Sequence, residues 1–263
     1  MNLKNISSQV KELSKQVGNY ILEEHDELTS DNIQTKGFHD FVTYVDKNSE
    51  KKIVEGLSNI LPEAGFLVEE ETANENENDY TWIVDPLDGT TNYIHGITPF
   101  AISIALSRKG KIIYGMVHEL GQQEIFESLE NEKPTLNGKT IQVSATENIQ
   151  ESIIATGFPY NDFSILESYL KSLQFFMKNT HGIRRLGSAA TDLAYTACGR
   201  FEGFYEYSLK PWDVAAGAFI VQQAGGKVSD FKGGDNYIFG QRIVAANDKI
   251  FNDFLESIKK YIE

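Results

Sequence analysis

Apolar residues recur every three or four positions along the first segment, at Leu3, Ile6, Val10, Leu13, Val17 and Ile21. That spacing predicts an amphipathic helix. A second helical stretch carries Val42, Val45, Ile53, Val54, Leu57 and Ile60, and Pro62 follows its end. The polar run Lys36–Asp40 between them reads as a loop. The middle of the chain changes period. Phe66–Val68 and Trp82–Val84 are short apolar runs that each end in acids, and Ala101–Leu106 with Lys111–Val117 flank Gly110 as a hairpin. The polar, acidic stretch Thr72–Asp79 reads as a loop. From Ile153 onward, strands and helices alternate. Strands are expected at Ile153–Ala155, Phe204–Tyr205 and Ile243–Ala245, and helices at Asp162–Lys178, Ser188–Ala197, Trp212–Gln223 and from Asp248. Such alternation means helices packed on sheets, an α+β or α/β fold. The change of pattern near Asn137-Gly138 suggests two subdomains, 1–140 and 141–263, the first carrying most of the acidic clusters.

With 263 residues, 41% of them apolar and 24% charged, the chain has the composition of an ordinary globular protein. A net charge of −14 excludes a basic footprint for nucleic acid. Such a surface also repels phosphorylated ligands, unless bound cations reverse the sign locally. The single cysteine, Cys198, rules out an internal disulfide, and five scattered histidines argue against structural zinc. No apolar core of a signal peptide and no run of membrane-spanning length is present, so a cytoplasmic protein without a membrane partner is expected.

The chemistry concentrates in acids. In Trp82-Ile83-Val84-Asp85-Pro86-Leu87-Asp88-Gly89-Thr90-Thr91-Asn92-Tyr93 an apolar strand delivers Asp85 at its end, and a turn brings Asp88 back towards it. Two carboxylates at a strand end are hard oxygen ligands of the kind Mg²⁺ prefers. The same Asp, Gly and Thr residues also suit a helix cap. Glu69-Glu70-Glu71 follows the strand Phe66–Val68 and is either a solvated loop or a second source of ligands. Asp213, in Pro211-Trp212-Asp213-Val214-Ala215-Ala216-Gly217, is either a third ligand or the cap of a helix whose small residues permit close packing. The two acids near residue 85 lack the D-x-D spacing of haloacid-dehalogenase-type phosphatases. Cys198 lacks an arginine six residues on, and neither a P-loop nor a G-x-S-x-G elbow occurs.

Taken in order, these clusters resemble the inositol monophosphatase family. Asp85–Asn92 is similar to its first signature and Trp212–Gly217 to its second. Lys36 with Asp40–Thr43 and Asp46, Asn137-Gly138, Gly187–Ala190 and Gln223–Gly226 extend the likeness over nearly the whole chain. The resemblance implies a layered α-β-α-β-α sandwich shared with sugar bisphosphatases, two or three Mg²⁺ ions per site with Mn²⁺ as a substitute, and a homodimer. By the same resemblance, Glu69, Glu70, Asp85, the Leu87 carbonyl, Asp88 and Asp213 are metal ligands. Glu69 and the Thr90–Asp46 pair activate water, and Asp88, Gly89, Thr90, Ala189, Glu206 and Asp213 meet the substrate. The implied reaction is hydrolysis of inositol monophosphate or a similar small polyol phosphate. The alternatives are the 2′-phosphate of NADP, adenosine 3′,5′-bisphosphate, fructose 1,6-bisphosphate, or metal and phosphate binding without catalysis. Gly157-Phe158-Pro159-Tyr160 stands where some members carry Gly-Ser, which removes a serine contact to substrate.

Overall fold

The computed structural model describes residues 2–25, 27, 33–37, 40–70, 78–160 and 162–262. Helix α1 (Leu3–His25) is followed by the antiparallel pair β1 (Ile33–Gly37) and β2 (Asp40–Thr43), then α2 (Tyr44–Ile60). A seven-stranded sheet comes next, built from β3 (Gly65–Val68), β4 (Tyr80–Asp88), β5 (Ala101–Arg108), β6 (Lys111–Glu119), β7 (Glu124–Leu129), β8 (Thr135–Leu136) and β9 (Lys139–Thr140) in that spatial order. The short helix α3 (Thr90–Ile94) interrupts it after β4. Only β3 and β4 run parallel; every later pair is antiparallel. Lys109 and Gly110 close the β5–β6 hairpin with φ of +52° and +80°, as a two-residue turn matched to strand twist requires.

The rest of the chain forms β10 (Ile153–Thr156), α4 (Leu166–Asn179), β11 (Gly182–Arg184), α5 (Ala189–Ala197), β12 (Gly203–Tyr207), α6 (Pro211–Gln223), β13 (Lys227–Ser229), β14 (Arg242–Ala246) and α7 (Phe251–Ile262). Its five strands order as β11-β10-β12-β14-β13.

Strand alternation builds the layers. Successive side chains point to opposite faces. Trp82 and Val84 therefore enter a core with α1 and α2, while Ile83 between them faces α5 and α6. In the second sheet, Ala155, Phe204 and Ala245 face that same middle core. Ile154, Tyr205 and Val244 face an outer core with Phe176 of α4 and Phe254 of α7. The stack is α1/α2, sheet, α5/α6, sheet, α4/α7: the layered sandwich. Helix α6 lies between two sheets, which explains why Val214–Val221 is buried on every side. Its small residues permit that closeness. A Cβ on Gly217 would lie 2.5 Å from the Leu193 Cβ of α5.

Several sequence expectations shift. Val42 lies on β2, and α2 starts at Tyr44 with Thr43 as its N-cap. The segment read as a loop at Lys36–Asp40 places Lys36 and Gly37 on β1 and Asp40 on β2, with Phe38 and His39 outside the described residues. Most of the Thr72–Asp79 stretch also lies outside them. Helix α4 starts at Leu166 rather than Asp162, α5 at Ala189, α6 at Pro211 and α7 at Phe251. Among the described residues, no helix is long and apolar enough to cross a membrane.

Candidate active site

The carboxyl end of β4, α3 and the N-termini of α5 and α6 meet around a cleft of about 380 Å³. Its base is acidic. Asp85, Asp88 and Asp213 each offer a carboxylate oxygen, and these atoms all lie within 4.8 Å of one another. Asp85 is buried near the carboxyl end of β4, at the irregularity between Asp85 and Asp88, where its Oδ1 accepts a 2.9 Å hydrogen bond from the Leu87 amide. Asp88 accepts from Ser188 Oγ at 2.6 Å and from the Ala190 amide at 2.8 Å. It is thereby pinned to the start of α5, more than a hundred residues away in sequence.

Asp213 is the third residue of α6 rather than its N-cap. Its Oδ2 accepts a 2.7 Å bond from the Lys210 amide. The sequence left capping and ligation as alternatives for this residue. The geometry allows both, because one oxygen satisfies the helix N-terminus while the carboxylate still faces Asp85 and Asp88.

The electrostatics are those of a cation site. Burial, then the neighbouring charges of Glu69, Asp88 and Asp213, push the Asp85 carboxyl well above the ordinary range. Burial raises Asp88 to about 6, opposed by the Ser188 hydroxyl. Burial and the Asp88 charge raise Asp213 to about 7. Like charges this close cannot all ionise at neutral pH without a compensating cation. The donors are all hard oxygens, which fits Mg²⁺ or Mn²⁺ and not a thiolate-seeking metal.

The sign of the pH dependence follows. A carboxyl whose folded pKa lies above its unfolded value binds more protons in the folded state, so stability falls as pH rises between the two values. The chelator-stripped protein is therefore expected to melt lower at pH 8 than at pH 5. Mg²⁺ should raise the melting temperature more at pH 8. A melting curve of the stripped protein that does not move with pH would remove Asp88 and Asp213 from the strained cluster.

A second constellation borders the first. Asp46, the third residue of α2, accepts the Thr43 amide at 2.8 Å and the Thr43 hydroxyl at 2.5 Å on Oδ2, closing a capping box. Its Oδ1 accepts the Thr90 hydroxyl at 3.0 Å, and that hydroxyl also lies 3.0 Å from the Leu87 carbonyl. Burial raises the Asp46 carboxyl, against the pull of these donors. One carboxylate therefore caps a helix and orients the threonine that begins α3. Gly89 precedes that threonine at φ +88°, and a Cβ there would meet Pro99 O at 3.1 Å and Gly187 O at 3.2 Å. Both conformation and space demand glycine.

The remaining sequence candidates separate. Glu69 lines the cleft, and Glu70 is not among the lining residues; the Glu70 amide donates to Glu50 Oε2 at 2.7 Å. Ala189 and Glu206 line the same cleft as Thr90. Glu206 is 8% exposed and lies against Gly157, where a Cβ would fall 1.8 Å from Oε1. Three features at or behind the cleft escape sequence reasoning. Ser188 anchors Asp88. Asp192 on α5 is a buried carboxyl, pushed well up by burial, whose Oδ1 has no hydrogen-bond partner among the described residues. Arg185 brings a cation to the cleft. A serine opening a helix in Gly-Ser-Ala-Ala was a readable cap signal for Ser188; nothing local marked the other two.

The profile of the inositol monophosphatase family matches residues 2–263. The chain belongs to that family. Its relatives are similar over nearly their full length. It is 38% identical to the Nus factor SuhB of Pseudomonas aeruginosa, over 95% of this chain and 94% of that one. It is 39% identical to an inositol-1-monophosphatase of Mesorhizobium japonicum, over 87% of this chain and 86% of that one. Among solved structures, the extragenic suppressor protein suhB of Bartonella henselae superposes with a TM-score of 0.91 at 36% identity, covering 97% of this chain and 99% of that one. The family resemblance and the layered sandwich expected from the sequence both hold. Membership makes a phosphatase the coarse functional statement, and the acidic cluster is able to hold metal ions.

Proposed function

We propose that the chain is a Mg²⁺-dependent phosphomonoesterase acting on inositol monophosphate or a similar small polyol phosphate. The observation that carries this reading is the convergence of Asp85, Asp88 and Asp213 within 4.8 Å, beside the hydrogen-bonded Asp46–Thr90 pair. Glu69, Asp85 and the Leu87 carbonyl would hold one ion and Asp85, Asp88 and Asp213 a second. A third, weaker site would use Glu69 and Glu70. When bound, the ions supply a water of lowered pKa and positive charge for the phosphoryl and leaving oxygens.

The chain's own groups do the rest. Asp46 Oδ1 holds the Thr90 hydroxyl proton, which turns the Thr90 oxygen towards the cleft as acceptor for the attacking water. Glu69 shares the orientation of that water. The amides of Gly89 and Thr90 face the phosphate. Asp88 and Asp213 border the substrate's phosphorylated end, and Glu206 with the start of α5 at Ala189 receives its hydroxyls. Glu206 is held there by contact with Gly157, and its carboxyl is raised by burial, so it is suited to share a proton with a neutral alcohol.

The reading includes a homodimer, a cytoplasmic setting, and subdomains at 1–140 and 141–263. That division falls between the last strand of the first sheet, Lys139–Thr140, and the first of the second, Ile153–Thr156. The name Nus factor belongs to the relatives that bear it. A nucleic-acid partner is not part of the reading, since a net charge of −14 provides no basic footprint. The test is phosphate release from a panel with Mg²⁺ or Mn²⁺: inositol 1-phosphate, fructose 1,6-bisphosphate, NADP and adenosine 3′,5′-bisphosphate. The expected result is the highest kcat/KM on a polyol ester. Preference for the nucleotide esters would overturn the substrate class, and no turnover of any ester would favour binding without catalysis.

A further inference from the structure

Helix α2 carries two buried carboxyls on one face. Asp46 and Glu50 stand four positions apart, so they share that face, and they are 2% and 0% exposed. Further along, the same buried face is apolar, at Ile53 and Leu57. An enclosed carboxyl is costly unless its oxygens are hydrogen-bonded. Asp46 is satisfied by Thr43 and Thr90. Glu50 reaches a different segment: its Oε2 accepts the Glu70 amide at 2.7 Å, just beyond the end of β3.

The two ties hold adjacent strand ends. Strands β3 and β4 are parallel neighbours, with Val68 level with Val84. The residues that follow them are Glu69 and Asp85. Glu69 lines the cleft, and after burial its charge is the largest influence raising the Asp85 carboxyl. Asp46 joins α2 to Thr90, beyond β4, and Glu50 joins the same helix to the backbone beyond β3. One helix thereby sets the end of β3 against the end of β4. Among the described residues, Glu50 itself does not line the cleft.

We propose that Glu50 is a positioning residue for the metal site. By holding the Glu70 amide, it fixes the backbone that aims Glu69 at the same ion as Asp85 and keeps Glu70 beside it. This rests on the metal-dependent reading of the cleft and adds a residue outside its ligand set. Packing alone would need no acceptor here, and Ile53 is what packing uses on this face. Groups that hydrogen-bond behind a ligand orient it, and losing one typically weakens metal binding or activity by roughly 10- to 100-fold.

The experiment titrates Mg²⁺ into the chelator-stripped full chain by calorimetry, for wild type, Glu50→Met and Glu50→Gln, with melting temperatures alongside. Methionine fills a similar volume without a carboxyl acceptor, and glutamine keeps a carbonyl oxygen for the Glu70 amide. Glu50→Met should weaken Mg²⁺ binding by roughly 10- to 100-fold. Hydrogen exchange at the Glu70 amide should quicken in the same variant. Glu50→Gln should recover most of the affinity. In turnover, Glu50→Met should raise the Mg²⁺ concentration for half-maximal phosphate release by the same factor, with a smaller effect on kcat at saturating Mg²⁺. Wild-type Mg²⁺ affinity in Glu50→Met, even with a lowered melting temperature, would overturn the proposal and leave Glu50 a structural tie. So would an equal loss in Glu50→Gln, which would make the charge responsible and not the hydrogen bond. If Glu50→Met does not fold, Glu50→Asp decides instead. Its shorter side chain draws the acceptor away from the amide, so the same loss of affinity is expected, and unchanged affinity overturns the proposal. If no ester turns over, the phosphatase reading fails by itself, and the Mg²⁺ titrations still decide Glu50.

Discussion

Asp213→Asn is expected to lower kcat by roughly a thousandfold or more at saturating Mg²⁺, because a metal-assisted term of several kcal/mol is removed from the transition state. The substitution keeps nearly everything structural. Asn retains a carbonyl oxygen to accept the Lys210 amide, now at 2.7 Å from Asp213 Oδ2, and Asn caps helices as well as Asp does. It removes only the charge, and the charge is costly to the empty site. Burial and Asp88 hold the Asp213 carboxyl up at about 7. The stripped variant should therefore melt at or above the stripped wild type, while its stabilisation by Mg²⁺ shrinks. A loss concentrated in kcat marks an interaction made chiefly in the transition state. Near-normal kcat with a lowered melting temperature would return Asp213 to the role of helix residue alone.

Thr90→Ala is expected to lower kcat by roughly 10²- to 10⁴-fold, the range for loss of a positioned proton acceptor. The hydroxyl is the link between the cleft and Asp46 Oδ1, 3.0 Å away. Its removal also takes a donor from a buried carboxylate, at a cost of about 1–3 kcal/mol in stability. Two effects then overlap, and Thr90→Ser separates them. Serine restores the hydroxyl without the methyl and should recover most of kcat and most of the melting temperature. If Thr90→Ala keeps kcat within threefold while melting lower, the hydroxyl is a structural tie between α2 and α3, and water is oriented elsewhere.

How much of this was legible in the sequence depends on distance along the chain. Asp85 and Asp88 were readable because three adjacent apolar residues predict a strand, and strands end where polar turns begin. The three-residue spacing then forces the carboxylates to one place. Asp46 was not readable by its own pattern. It looks like the third residue of any capped helix, and only Thr90, 44 residues away, gives it a second task. Only the family resemblance singled it out beforehand.

Strand β7 was overlooked because Glu127 interrupts its apolar run. That glutamate is buried, where Ser7 donates to it at 2.7 Å and Lys11 at 2.7 Å, both from α1 more than a hundred residues upstream. The start of α6 was off by one residue because Pro211, which breaks helices in their interior, is favoured at the first helical position. Arg185 lies beside Arg184 in a run that reads as ordinary surface charge. Only the fold distinguishes them: Arg184 is exposed, and Arg185 is stacked into the cleft.

On the function proposed above, this carboxylate cleft hydrolyses phosphate monoesters only when divalent cations complete it. The most direct measurement is inorganic phosphate release from inositol 1-phosphate by the full chain, first stripped with excess chelator and then supplied with Mg²⁺. The stripped protein is expected to show no turnover and Mg²⁺ to restore it, with Asp213→Asn failing to recover. Full turnover in excess chelator would contradict it.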